Sequence, residues 1–462
     1  MRERITILAQ IILFTGCVAR SSAQTIPDRT WAQYQYASDH NAVFTKPDWS
    51  VAWRSDAEDK INGGISIVGT TLYYESFDHN IYAVDARTGQ ERWHTTLSNI
   101  VMNTPVVADG LVFVGGGIDL GLPPLGLPDP LSGRVGGDSF YALNAATGAI
   151  VWKFDTIGQN MPTPVFLTVG GVPEIVFPSG DLNMYALQAK TGALLWKKPT
   201  PGADLMASLN LYDNLIYGIT GYSFLLYDST YQKDGPNAAR QMFQHTFAID
   251  GSGASRWSQP YGARGCSPTI ANGTVFVESW LPESGDNPTT WREKLWAPLG
   301  GWVLYSVLIE PSHNEIAALD ARTGALKWLH AFKPGTATNE GSHMDAIAGL
   351  YAKGRFFDAV PIDKTFVALD AKNGNVLWTV PTPHPVKMSA VEKDGLVYFG
   401  DAGGTLYIVR ANDGEVEQRV KFPHGFSISP PLIVGNTMFV SNTNSIYAVR
   451  LSDLQRGVGP DN

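Results

Sequence analysis

Cysteine is almost missing from this chain: 462 residues hold only Cys17 and Cys266. Cys17 lies in a leader-like stretch, so Cys266 has no partner within the folded part and reads as a small buried filler. No disulfide framework supports the fold, and its core has to suffice. Without a C-x-x-C-H sequence, no c-type haem is attached. Nine histidines show no H-E-x-x-H or related zinc spacing. Gly115-Gly116-Gly117 is followed by no Gly-Lys-Ser/Thr, which excludes a phosphate loop, and no G-x-S-x-G elbow occurs. Charge is scarce as well, at 17% of residues with a formal net charge of -9. No Lys/Arg cluster suits a phosphate backbone, so nucleic acid is excluded as a partner. The apolar run Ile5 to Phe14, behind Arg2 and Arg4, is too short to span a membrane.

That run reads instead as an export signal covering residues 1–23, with Ser21-Ser22-Ala23 offering small residues to a signal peptidase. Phe14-Thr15-Gly16-Cys17 is similar to a lipobox, which gives the alternative of a lipoprotein signal over residues 1–16 and a lipid anchor on Cys17. Either route places the chain in the periplasm or outside the cell.

What is abundant is turn formers and aromatics: Gly 47, Pro 29, Trp 13 and Tyr 18. They are organised by one repeat. Ala83-Val84-Asp85-Ala86-Arg87-Thr88-Gly89 leads to Trp93, and the same spacing recurs before Trp152, Trp196, Trp328 and Trp378. Degenerate copies reach Trp257 one residue early and put Gln418 in the Trp place. In each copy an apolar strand ends at a residue such as Asp, whose side chain bonds the turn backbone, Gly supplies a positive φ, and a returning strand plants a Trp. A second strand pair precedes each hairpin, turning for example at Asp109-Gly110 or Asn272-Gly273. Four strands per unit make a propeller blade.

An eighth copy opens at Tyr447-Ala448-Val449-Arg450 and stops before any Trp, while Trp53 stands alone ahead of the first full copy. The expected fold is therefore all-β: a single eight-bladed propeller of four-stranded antiparallel blades over residues 24–462, closed by the Trp53 strand. Insertions are expected at about 115–137 and 279–312. Loops of that length in a compact domain are usually functional, and the aromatics in the second argue for order.

The run A-x-D-A-x-T-G-x-x-x-W resembles the tryptophan-docking repeat of pyrroloquinoline-quinone (PQQ) dehydrogenases, and is similar to that of the propeller lipoprotein in outer-membrane barrel assembly. The likeness extends from about Trp31 to Leu451. It implies one of two functions. The first is an exported quinoprotein dehydrogenase that oxidises an alcohol or sugar with PQQ and Ca²⁺ or a lanthanide, passing electrons to a separate acceptor. The second is a non-catalytic scaffold propeller with a protein partner in the cell envelope.

Residues just before the first strand of each blade line the axis. Alignment on the hairpin turns gives Asn62-Gly63-Gly64, Met102-Asn103-Thr104-Pro105, Met161-Pro162-Thr163-Pro164, Met206-Ala207-Ser208, Gly265-Cys266-Ser267-Pro268, His343-Met344-Asp345-Ala346, Lys387-Met388-Ser389 and Ser427-Ile428-Ser429-Pro430. The resemblance to quinone enzymes then implies Asp345 as the general base that takes the alcohol proton, and Lys387 as the cation against the quinone carbonyl. Asn62 and Asn103 are the implied oxygen ligands. Two features depart from that pattern: an adjacent cysteine pair is absent, and no clear Glu lies among the funnel-lining segments.

Overall fold

The computed structural model describes residues 25–98, 103–116, 138–201, 207–220, 245–262, 267–282, 312–335 and 347–460. These form eight sheets: seven are antiparallel with four strands joined in sequence order, and the eighth has three such strands, a fourth antiparallel strand from before the first blade, and a fifth that pairs in parallel. The first blade comprises Ser66–Val68, Thr71–Glu75, Asn80–Asp85 and Glu91–Thr96. Its second and third strands are nearly all buried, whereas its outer strand alternates between exposed and half-buried positions. That gradient is what a blade wedged between two others requires.

The ring closes as the lone Trp53 requires. The strand Trp53–Asp56 pairs antiparallel with Ser445–Arg450, with Trp53 opposite Ala448 and Arg54 opposite Tyr447. The eighth copy lacks a Trp because Leu451–Gln455 is a short helix instead of a turn, and its buried Leu451 and Leu454 pack in one cluster with Tyr398 and Val420.

Each docking tryptophan binds the neighbouring blade. Trp53 Nε1 donates to Ala86 O at 3.0 Å, Trp93 to Ala145 O at 3.1 Å, and Trp152 to Ala189 O at 2.9 Å. Trp196, Trp257, Trp328 and Trp378 do the same to Gly251, Ala321, Ala371 and Ala411. The repeat glycine is fixed twice over. Gly89 has φ +72°, and a Cβ there would lie 2.6 Å from the Trp53 ring. The turn residue thus serves the next indole as well as its own backbone.

The innermost strands would be edge strands, with unpaired N–H groups along the axis. A segment ahead of the first blade covers them. Gly69 of blade 1 donates to Pro27 O, Val107 of blade 2 exchanges bonds with Trp31, and Phe166 of blade 3 donates to Ala32 O. Leu211 of blade 4 donates to Gln33 Oε1, Ile270 of blade 5 to Ser38 O, and Tyr351 of blade 6 to Asp39 O. Glu392 of blade 7 exchanges bonds with the Asn41 amide. Val43–Phe44 then pairs in parallel with Leu432–Val434 of blade 8. Residues 27–44 therefore make one circuit, meeting the eight blades in chain order.

Inside this collar the channel is filled by rings. Tyr36 packs on Trp31 and Phe44 with centroids 5.2 and 4.9 Å away, and Tyr34 meets His40 edge-on at 5.2 Å. Gln35 and Tyr36 take positive φ, which turns the chain inward between its contacts with blades 4 and 5. The collar is also a stopper.

The expected insertions shift at their edges. The strands Thr274–Pro282 and Ser312–Asp320 pair along their whole length, so 279–282 and 312 belong to the sheet and only 283–311 connects. In blade 2 the strand runs to Gly115, and the connection 117–137 lies outside the described residues. A third long connection, 221–244 in blade 4, went unread in the sequence, although the corresponding link in blade 1 runs only from Glu75 to Asn80. All three join second strands to third strands.

Candidate active-site funnel

The segments aligned from sequence do meet around the axis. Thr104 N–H donates to Thr163 Oγ1 at 2.9 Å, Thr163 N–H to Ser208 Oγ at 3.2 Å, and Ser208 N–H to Ser267 Oγ at 3.0 Å. From blade 3 to blade 5 one hydroxyl accepts from the blade before it, so a small Ser/Thr at this position ties these neighbouring blades together. Gly64 replaces it in blade 1 because a Cβ there would come within 2.0 Å of Thr104 Oγ1.

Of the four site residues expected from sequence, Asp345 lies outside the described residues. Lys387 sits in the innermost strand of blade 7, Val386–Lys393, where the pairing register shifts on both sides of Met388. It is only 8% exposed. Asn62 is half-buried ahead of blade 1. Asn103 is buried, and its backbone N–H donates to Glu75 Oε2 at 2.8 Å. With its amide turned to match its surroundings, its side-chain nitrogen also donates to Glu75, at 2.6 Å from Oε1, and its oxygen accepts from Gly115 N.

Glu75, the partner of Asn103, lies outside the segments aligned as axial. It ends the second strand of blade 1, one strand out from the axis, and reaches inward to Asn103. Glu278 occupies the same position in blade 5, where Asn314 Nδ2 donates to Oε1 at 2.7 Å, and Asp358 of blade 6 faces it electrostatically. The signal was legible as a shared Thr-x-x-x-Glu in Thr71–Glu75 and Thr274–Glu278, but it fell outside the segments aligned as axial. Burial raises all three carboxyls well above their usual range, and for Glu278 the Asp358 charge adds to it. Burial thus disfavours the charged form of each.

This arrangement does not supply what a divalent cation needs. Asn103 and Glu75 bond each other, and among the described residues no three His, Cys, Asp or Glu side chains converge as a metal site. The described residues therefore do not fit the donor set that a PQQ–metal pair implies.

The funnel floor is the stopper. Tyr34, 9% exposed, places its hydroxyl against Ser389, in the innermost strand of blade 7 two residues beyond Lys387. His40 is fully buried behind it. Its Nδ1–H donates to Gly349 O at 3.0 Å, and Nε2 accepts from Asn210 Nδ2 at 2.5 Å. These bonds tie blades 4 and 6 to the collar, and desolvation lowers the His40 pKa to about 4.

Comparisons with known proteins agree with the fold. Over 416 residues the chain is 25% identical to tetrathionate hydrolase of Acidithiobacillus ferrooxidans, covering 85% of this chain and 73% of that one. It is 23% identical to quinoprotein ethanol dehydrogenase of Pseudomonas putida over 415 residues, covering 85% of this chain but only 54% of the dehydrogenase. The crystal structure of quinohemoprotein alcohol dehydrogenase from Comamonas testosteroni superposes with a TM-score of 0.61 at 13% identity, over 91% of this chain and 80% of that one. No described helix is long and apolar enough to cross a membrane. The family model described as "Outer membrane protein assembly factor BamB" matches residues 42–215 and 290–457, most of the chain, and this protein belongs to that PQQ-type propeller family.

Proposed function

We propose that this chain is an exported enzyme that hydrolyses a small sulfur dianion of the polythionate class in its axial funnel. The observation that carries this reading is the charge of the inner wall. Burial disfavours the charged forms of its carboxyls Glu75, Glu278 and Asp358, while the basic Lys387 is buried in the innermost strand of blade 7. A wall of that kind accepts an anion and offers a cation to hold it. The likeness to tetrathionate hydrolase supports the same substrate class. Hydrolysis adds water across a sulfur–sulfur bond and needs no quinone or electron acceptor. In this reading Lys387 binds the substrate charge, and Asp345, by its place before the innermost strand of blade 6, is the base for water.

A PQQ-dependent oxidation of an alcohol or sugar is supported by the likeness to quinoprotein dehydrogenases, and a scaffold role by the family description. One experiment separates the three. The purified chain is given tetrathionate without added quinone or metal, and substrate loss is followed by ion chromatography alongside acid release. Turnover is expected. No turnover, together with alcohol-driven dye reduction after loading PQQ with Ca²⁺ or a lanthanide, would make it a dehydrogenase. Inertness in both assays, with an envelope protein co-purifying, would make it a scaffold.

A further inference from the structure

We infer that the stopper holds the water of hydrolysis, with Gln35 as its positioning residue; this rests on the hydrolase reading above. Gln35 is 2% exposed and stands at the innermost turn of the collar, with φ 48°. Its Nε2 points to the Tyr34 hydroxyl at 3.5 Å, while its Oε1 is buried and no donor among the described residues reaches it. Asn210 repeats the pattern beside His40: its Nδ2 is engaged by His40 and Pro268 O, and its Oδ1 has no donor. Buried carbonyl oxygens without a donor are costly unless a water supplies one. Such a water needs two or more polar partners, and the Gln35 oxygen and the Tyr34 hydroxyl beside Ser389 provide them.

The chemistry selects water over the substrate itself. A carbonyl oxygen repels an oxyanion and orients a water by accepting its hydrogen. Lys387, two residues before Ser389 on the same strand, places the anion's charge next to this floor. The water's oxygen then forms a bond to one sulfur as the adjoining sulfur–sulfur bond breaks. That bond's electron pair leaves on the departing sulfur, and both protons of the water pass to solvent as released acid. The collar that pairs the inner strands would thus also aim the nucleophile.

The test uses the full mature chain with Gln35→Leu and, separately, Tyr34→Phe, which keeps its ring in the stopper. Gln35→Leu is expected to lower kcat on tetrathionate about tenfold or more while KM stays within about threefold, because a bond to the water is lost and none to the anion. Tyr34→Phe should shift kcat in the same direction. An unchanged kcat in both variants, or a loss seen only in KM, overturns the inference. Thermal unfolding gives a readout free of activity. If a water satisfies Gln35 Oε1, Gln35→Leu leaves Tm unchanged or lower. A clear rise in Tm means the oxygen was dry, and the inference falls even if turnover is present. Wild-type chain that leaves tetrathionate intact removes the hydrolase reading and this water's role in it, whatever the Tm.

Discussion

Protonating His40 should loosen the collar, and the size of the effect follows from its surroundings. Its pKa is about 4 in the fold and 6.5 when solvated. A depressed histidine binds its proton more readily in the unfolded chain, so it favours unfolding as pH falls below 6.5, and its effect levels off below 4. At one pKa unit per ~1.4 kcal/mol, the loss reaches about 2 kcal/mol by pH 5 and approaches ~3 kcal/mol near pH 4. The groups facing it are Tyr34, Asn210, Thr269 and the Gly349 carbonyl, and Asp39 precedes it. Asp39 and the buried carboxyls Glu75, Glu278 and Asp358 have raised pKa values and act in the opposite sense, gaining stability as pH falls. A single pH profile therefore mixes both trends. The difference between wild type and His40→Asn isolates the histidine, because the carboxyls titrate alike in both. Asn retains a donor for the Gly349 carbonyl and has no titration of its own. Urea unfolding at pH 7 and pH 5 should show the wild-type advantage shrinking by about 2 kcal/mol. An advantage that is the same at both values would refute the claim that the buried imidazole is held neutral by the collar.

Removing residues 25–44 while keeping the Trp53 strand should lower the denaturant midpoint and expose the inner strands to hydrogen exchange; unchanged protection at Val107, Ile270 and Ile433 would show that the collar does not cap them. Gly89→Ala meets both a positive φ and the Trp53 ring and should cost clearly more than Gly69→Ala, where φ is +59° with open space and the cost is about 1 kcal/mol; equal costs in thermal melts would refute the double role of the turn glycine. Burial raises the Glu75 pKa, so the stability its proton contributes is present at low pH and lost as pH rises through the raised value, and Glu75→Gln should gain on wild type with increasing pH in urea titrations. Lys387→Ala should raise KM for tetrathionate by roughly tenfold with a smaller change in kcat, checked by initial rates.

The fold was legible because its signal is periodic. Asp85 to Trp93 and its copies state both the turn and the packing partner, and the stray Trp53 states how the ring ends. The hydroxyls Thr104, Thr163, Ser208 and Ser267 were placed correctly by counting from the turns. The funnel chemistry was harder to read. Glu75 lies on a strand that is otherwise apolar, and only its reach across to Asn103 makes it axial. The collar has no repeat at all. Most of its residues meet the blades through one or two bonds from irregular chain, and Trp31, Tyr34, Tyr36, His40 and Phe44 give no period by which pattern reading could recognise them. Asp345 was argued from position, and its role remains a proposal.

The collar also sets an order on assembly. Residues 27–44 are synthesised before any blade, yet their last partners, Glu392 and Ile433, come near the end of the chain. The strand at Trp53 waits for Ser445–Arg450 in the same way. A partly made chain therefore lacks its seam, and the end of its drawstring stays unattached until the last two blades arrive. Blades can form locally as hairpins, but these longest-range contacts can be made only at the final step. The nascent ring would be most prone to mispairing just before completion, when the strand at Trp53 and the last part of the collar still lack their partners.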